Sequence, residues 1–232
     1  MGSKAKIAKD ILPIILNDRK EGQYYVEPFC GGCNTLDKVT GNRIGNDLNK
    51  YLIAMWKGLQ NNNFRECSIN KNLYAWARYE FNNNYNLSFS DFDIGWIGWC
   101  ASFNGRFFDG GYSGVTKDRN YIKEQIKNIE KQIPNLQDVE FFSCDYSSLV
   151  IPPESIIYCD IPYNETKQYS VSRIFNYSRF WDWCKTQKGN GHQIFISEYS
   201  APTFATCIWE KTVTNSMNTK ITYKPTEKLF TI

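Results

Sequence analysis

Tyr24-Tyr25-Val26-Glu27-Pro28-Phe29-Cys30-Gly31-Gly32-Cys33 decides the fold. Its first six residues read as a short buried strand, and the strand runs directly into a glycine-rich turn. A brief helix is expected next, then a strand at Arg43–Asn46 and a helix over 48–59. Strand, tight turn, helix and strand in that order open a parallel α/β sheet. Glycines just past a strand let the backbone turn sharply and approach a ligand closely. Asp47 falls 20 residues after Glu27, at the expected end of the second strand. In nucleotide-type folds an acid at that place accepts hydrogen bonds from ribose hydroxyls. The turn is not GxGxxG, and no Lys-Ser/Thr follows its glycines, so dinucleotide and triphosphate ligands are disfavoured. An adenosine ligand without phosphates remains open, as does a purely structural turn.

Upstream, Ile7, Ile11, Ile14 and Ile15 recur at helical spacing and predict an amphipathic helix that ends or kinks near Pro13. Downstream, the alternation of strand and helix lapses from 61 to 134. This stretch is polar and Asn-rich, with helical candidates at 73–85 and 118–132. Between them the Gly- and aromatic-rich segment 102–114 is hairpin-like, so 61–134 reads as an inserted subdomain. The α/β texture resumes with strands at Val139–Phe142, Ile156–Asp160 and Gln193–Glu198. A helix over 178–187 is expected between the last two, with Ser178 as its N-cap. Strands joined by an Asn-rich turn at 214–219 complete the chain.

A second constellation lies at Ile156-Ile-Tyr-Cys-Asp160-Ile161-Pro162-Tyr163. A buried strand delivers Asp-Ile-Pro-Tyr to its carboxyl end, the edge where open α/β sheets bind ligands. Such a set suits an aromatic exocyclic amine, a poor nucleophile because its lone pair is delocalised into the ring. A carboxylate and a backbone carbonyl, each accepting one amino hydrogen, favour the tetrahedral nitrogen needed for attack. Pro162 holds Ile161 extended and so aims its carbonyl, while Tyr163 can stack on a base. A strand end followed by a proline turn is the plain alternative.

The 232 residues carry 42% apolar and 16% aromatic side chains and a net charge of +3, enough for a buried core and only mildly basic. Of the eight cysteines, only Cys30 and Cys33 form a CxxC, without a second pair at zinc-site spacing. Reduced, mostly structural cysteines and no metal are expected. The segment MGSKAKIAKD lacks the apolar core of a signal peptide, and no apolar run reaches membrane-span length, so a cytoplasmic chain is expected. His192, in a Gly-Asn-Gly-His turn, reads as a loop residue.

Together these blocks resemble the Dam-type DNA adenine methyltransferases. MGSKAKIAKDILPII resembles the family's N-terminal GxK segment and YVEPFCGGC its EPFxGxG cofactor loop. GNDLNKYLIAMW resembles the following D-x-N-x-x-L-I block, and SFNGRFF the FNG element of target recognition. FFSCDY resembles the F-x-x-x-D-F/Y block, YCDIPYNETKQY the catalytic YCDPPY loop, and EKLFTI the C-terminal E-x-L-I strand. The seven stand in the family's order along nearly the whole chain.

The resemblance implies a Rossmann-like α/β methyltransferase sheet with helices on both faces, formed by 1–60 and 135–232. The mostly helical, hairpin-containing insertion 61–134 would be its target-recognition subdomain. It implies transfer of a methyl group from S-adenosylmethionine to the exocyclic amine of adenine in double-stranded DNA, with no obligatory protein partner. Lys4 and the backbone of Gly2 and Ser3 would lie against the methionine end of the cofactor. Phe29, Cys30 and Gly31 would form its floor, with Glu27 beside them. Asp47 would hold the ribose, and Asp145 with Tyr146 would bracket the cofactor's adenine. Asp160, Ile161, Pro162 and Tyr163 would hold the target adenine. Phe103, Asn104 and Arg106 would face DNA, assisted by basic residues such as Arg78, Lys117 and Arg119.

Three positions depart from the family pattern. Ile161 replaces the first proline of DPPY, which is expected to keep the carbonyl geometry with less rigidity. Cys33 replaces the last glycine of the cofactor loop, which tests whether that backbone avoids positive φ. Phe108 stands where some members carry a basic residue, so sequence preference is expected to differ from GATC-type enzymes. Two rival readings are a catalytically silent DNA-binding module and an amino-methyltransferase acting on cytosine or RNA. A nicotinamide-dependent oxidoreductase ranks below both for want of GxGxxG.

Overall fold

The computed structural model describes residues 4–65, 68–85, 87–116, 118–163, 175–212 and 226–232. The expected roles of Gly2, Ser3 and Lys117 and the turn at 214–219 lie outside them. Helix α1 (Ala8–Ile15) leads to β1 (Tyr25–Glu27), β2 (Arg43–Asn46) and α2 (Lys50–Gln60). Helices α3 (Lys71–Asn83), α4 (Asp91–Ala101) and α5 (Tyr121–Gln132) follow before β3 (Val139–Phe142) and β4 (Ile156–Asp160). Helix α6 (Tyr177–Gly189), β5 (Gln193–Glu198), β6 (Thr206–Thr212) and β7 (Thr226–Thr231) complete the described elements.

The seven strands form one Rossmann-like sheet in the order β3-β2-β1-β4-β5-β7-β6. Strands β1 to β5 run parallel, and β7 lies antiparallel between β5 and β6. The period of two along each strand splits the core. Tyr25, Ile156 and Tyr158 face α1, α2, α4 and α5, whereas Val26, Ile157 and Cys159 face α6. Burial on both sides is why β1 and β4 read as continuous apolar runs. The chain leaves β1 toward β3 on one side and returns as β4 on the other. That reversal falls between β1 and β4, and open α/β sheets bind ligands beyond the carboxyl ends of the strands at such a point.

Helix α4 went unread in the sequence. It buries every residue from Ile94 to Ala101, so its apolar positions show no helical period. Ser90 and Asp93 close its N-terminus as a capping box. Gly95 lets α4 approach α2 so closely that an added Cβ would sit 2.1 Å from the Tyr51 carbonyl oxygen. Trp96, Ile97 and Trp99 thereby share one core with Leu52, Met55 and Trp56.

Three local expectations are corrected. Helix α6 is capped by Asn176, not Ser178, because the Asn176 side chain accepts from the Arg179 amide. The segment 102–114 is not a regular hairpin. It is a 3-10 turn at Phe103–Gly105, closed by a single antiparallel bridge between Ser102 and Tyr112. Phe108, read as a replaced basic contact, is 1% exposed and packs on Tyr74, Phe81 and Phe107. His192 does lie in a loop, but buried, with Nδ1 accepting from the Ser155 amide.

Candidate active site

The carboxyl edge of the parallel sheet carries an acid on each of its five strands or just beyond it: Glu27, Asp47, Asp145, Asp160 and Glu198. Lys4 enters the same edge from the N-terminal segment. Burial raises the Glu27 pKa to about 8 and so leaves it largely neutral, but the remaining acids disfavour phosphates and suit a ligand with hydroxyls and positive charge.

The glycine turn is fixed from several sides. The Cys30 amide donates to the Asn46 carbonyl at 2.7 Å, and the Gly31 amide donates to Asp47 Oδ2 at 3.0 Å. Trp56 Nε1 donates to the Gly31 carbonyl, and Gln132 Nε2 to the Gly32 carbonyl, each at 3.0 Å. Glycine is required at 32 because an added Cβ would lie 2.5 Å from the Trp99 ring. Cys33 does not avoid positive φ. Its φ of 53° occupies the left-handed region, and its buried thiol is held among the core side chains that enforce this conformation.

Asp47 accepts from the Gly31 amide through Oδ2 and from the Asn49 amide at 2.8 Å through Oδ1. Burial raises its pKa against those two donors. A carboxylate offers about four lone-pair sites, so two remain open to hydroxyl donors of a ligand. Burial also pushes Asp145 upward, but two donors from Ser147 and the nearby Arg179 guanidinium outweigh it and leave the pKa lowered. The Tyr146 and Phe29 rings meet at 5.2 Å, and Phe175 and Phe180 close around both. These rings and hydroxyl acceptors match an adenosine in chemistry. The donor set therefore fits S-adenosylmethionine.

Beyond β4 the catalytic-loop candidates converge. Lys4 Nζ lies 3.2 Å from Asp160 Oδ1 and 3.1 Å from Glu227 Oε2, and donates to the Tyr163 hydroxyl. Tyr163 in turn donates to Glu227 Oε2 at 2.7 Å and meets Tyr199 edge-on at 4.5 Å between centroids. Burial pulls the Lys4 pKa down, yet Asp160 and Glu227 more than offset it, and the ammonium is retained. Burial raises the Asp160 pKa, Lys4 opposes that rise, and Glu227 adds to it. Ile161 is 3% exposed and packs with the α6 side of the core. That anchorage, about 1.5–3 kcal/mol for a buried aliphatic side chain, offsets the stiffness a proline would give. The Tyr177 hydroxyl donates to the Pro162 carbonyl at 2.8 Å and pins the loop from α6.

Glu27 points into the interior, where the Tyr25 hydroxyl donates to it at 2.9 Å. The turn at Phe103–Gly105 exposes Phe103 and Asn104, the latter in a left-handed conformation that Asn tolerates. Arg119 is occupied by Glu124, with contacts of 2.6 and 3.0 Å. Sequence reasoning missed Glu227, Tyr177, Phe175 and Arg179 as members of the site. Only the EKLFTI match drew attention to Glu227, and it assigned no role.

A family model for D12 class N6 adenine-specific DNA methyltransferases matches residues 1–203. No curated protein sequence matches the chain. Among solved structures, a provisionally assigned methylase of Haemophilus influenzae aligns over 98% of this chain and 97% of its own, at 10% identity and a TM-score of 0.39. SMU.472, a provisionally assigned methyltransferase complexed with SAH, aligns over 99% of this chain at 10% identity and a TM-score of 0.37; the alignment covers 52% of its own chain. Classification rests on the family model, not on these two alignments. The chain belongs to the D12 class of N6 adenine-specific DNA methyltransferases, enzymes that methylate the exocyclic amine of adenine in DNA.

Proposed function

We propose that Asp160, Ile161, Pro162 and Tyr163 hold a target adenine turned out of the duplex, beside a donor seated at the Gly31 turn. The placement of Asp160 and the glycine turn on the same sheet edge, flanking the reversal between β1 and β4, carries this reading. A base must leave the stack before its amine can meet a donor in a protein pocket. Asp160 accepts one amino hydrogen and the Ile161 carbonyl the other, which frees the nitrogen lone pair from the ring. Tyr163 stacks on the extruded base, a contact of roughly 1–3 kcal/mol.

S-adenosylmethionine supplies a methyl group already activated on a sulfonium, so positioning does most of the catalytic work. Lys4 lies at its methionine end, where it would exchange one of its contacts with Asp160, Glu227 and Tyr163 for the ligand carboxylate; Phe29, Cys30 and Gly31 form the floor, and Asp47, Asp145 and Tyr146 hold its adenosine. Glu27 contributes by supporting the floor from within. The insertion 61–134 carries DNA recognition, with Phe103, Asn104 and Arg106 at the duplex. Arg78 is a further phosphate contact, while Arg119 contributes less because Glu124 already occupies it. Binding to DNA weakens as salt rises. No helix among the described residues is long and apolar enough to cross a membrane, and action in the cytoplasm without an obligatory protein partner belongs to the same proposal.

The test is Asp160→Ala incubated with labelled S-adenosylmethionine and mixed-sequence duplex DNA, followed by sequencing of modified positions. The fold and calorimetric cofactor binding are retained and methylation is lost. Full activity in that variant refutes the role of Asp160.

A further inference from the structure

We propose that Glu227 is a positioning residue for methyl transfer, holding Tyr163 and Lys4 so that the Asp160 carboxylate stays available to the target amine. This rests on the roles given above to Asp160 and Tyr163. Strand β7 runs antiparallel to β5, and Lys228 pairs with Glu198, the last residue of that strand. Glu227 therefore lies one residue beyond the strand end, on the edge that carries the other acids. Its Oε2 accepts from the Tyr163 hydroxyl at 2.7 Å and lies 3.1 Å from Lys4 Nζ.

Two consequences follow from that geometry. The Tyr163 ring is held at its hydroxyl end by Glu227 and by the Lys4 ammonium, which lies 4.3 Å from the ring centroid, and against Tyr199. Its orientation for stacking is thus set before a base arrives, which lowers the ordering cost of binding. In addition, Lys4 divides its charge between two carboxylates. With Glu227 neutral, the ammonium would pair with Asp160 alone, competing with the amine that Asp160 must receive. Buried ion clusters add little net stability compared with apolar packing, so stability alone gives weak reason for three charged groups here. Asp160 is faced by Lys4 from the N-terminal segment, Glu27 from β1, Tyr158 from β4, Tyr163 from its own loop and Glu227 from β7.

Glu227→Gln tests the proposal because it preserves volume and one acceptor oxygen while removing the charge. It is compared with wild type and Asp160→Ala on a duplex carrying the mapped target adenine. Readouts are kcat, KM for each substrate, the pH profile of kcat, and 2-aminopurine fluorescence at the target position. The variant loses about ten- to a hundredfold in kcat, the scale of a misplaced catalytic group, while KM for S-adenosylmethionine stays within about threefold. The acid limb of its pH profile moves to lower pH, because Asp160 loses a negative neighbour and gains a larger share of Lys4. Wild-type kcat with an unmoved acid limb, beside an inactive Asp160→Ala, overturns the role of Glu227 alone. Activity in Asp160→Ala overturns the underlying reading as well. If Glu227→Gln does not fold, Tyr163→Phe replaces it; that variant removes only the hydroxyl, and unchanged kcat and fluorescence overturn the proposal.

Discussion

Glu27 ends β1 with its carboxyl closed off from solvent at 3% exposure, and replacing it with glutamine changes how the fold responds to pH. Burial pushes its pKa from 4.5 up to about 8, with hydroxyl donors from Thr35 and Tyr25 opposing the rise and Asp160 and Asp37 adding to it. Below the lower value, the folded and unfolded chains both hold the proton and the group contributes nothing. Between 4.5 and about 8 the unfolded chain releases the proton while the folded chain retains it. Stability therefore falls as pH rises through that window and levels off above it. At about 1.36 kcal/mol per pH unit, the interval corresponds to about 5 kcal/mol as an order of magnitude. That is comparable to the whole stability of a marginal domain. Glutamine keeps a carbonyl acceptor for Tyr25 and Thr35 but carries no titrating proton. Urea unfolding followed by tryptophan fluorescence in half-unit steps from pH 5 to 8.5 measures the difference. The Glu27→Gln curve lies increasingly above wild type as pH rises. Parallel curves across that range would refute the buried, protonated Glu27.

Tyr177→Phe removes the hydroxyl that donates to the Pro162 carbonyl; a net loss of about 1 kcal/mol in loop order lowers kcat several-fold with KM for S-adenosylmethionine unchanged. Steady-state kinetics check this, and unaltered kcat counts against α6 as the support of the loop. Gly95→Ala forces a Cβ to within 2.1 Å of the Tyr51 carbonyl oxygen. Overpacking of about 1–3 kcal/mol exceeds the roughly 1 kcal/mol gained in helix propensity, so Tm falls by a few degrees in a thermal melt. A raised Tm would mean that the α2–α4 seam has room the structure does not show.

Four strands were legible to the residue: Arg43–Asn46, Val139–Phe142, Ile156–Asp160 and Gln193–Glu198. Ile156–Asp160 and Gln193–Glu198 are short, largely apolar runs that local chemistry delimits, Val139–Phe142 is a brief strand-favouring segment, and Arg43–Asn46 is placed by its position in the strand–turn–helix alternation. The glycine turn after β1 and the acid at 160 followed from the same local logic. Boundaries slipped where two good caps compete. Asn176 and Ser178 can each cap a helix, and the path of the backbone chooses between them. Helix α4 was invisible because a segment buried on all sides has no period to detect. Cys33 takes positive φ because the packed core holds it there, a constraint absent from its neighbours in sequence.

What the sequence by itself determined is a parallel sheet with Asp160 and the glycine turn at its carboxyl edge, since strand, turn and proline signals act over a few residues. Only the tertiary structure decided that Glu227, 223 positions from Lys4, would meet both Lys4 and Tyr163. The reason is topological. Strand β7 inserts antiparallel between β5 and β6, and that reversal carries its leading end to the edge where the parallel strands finish.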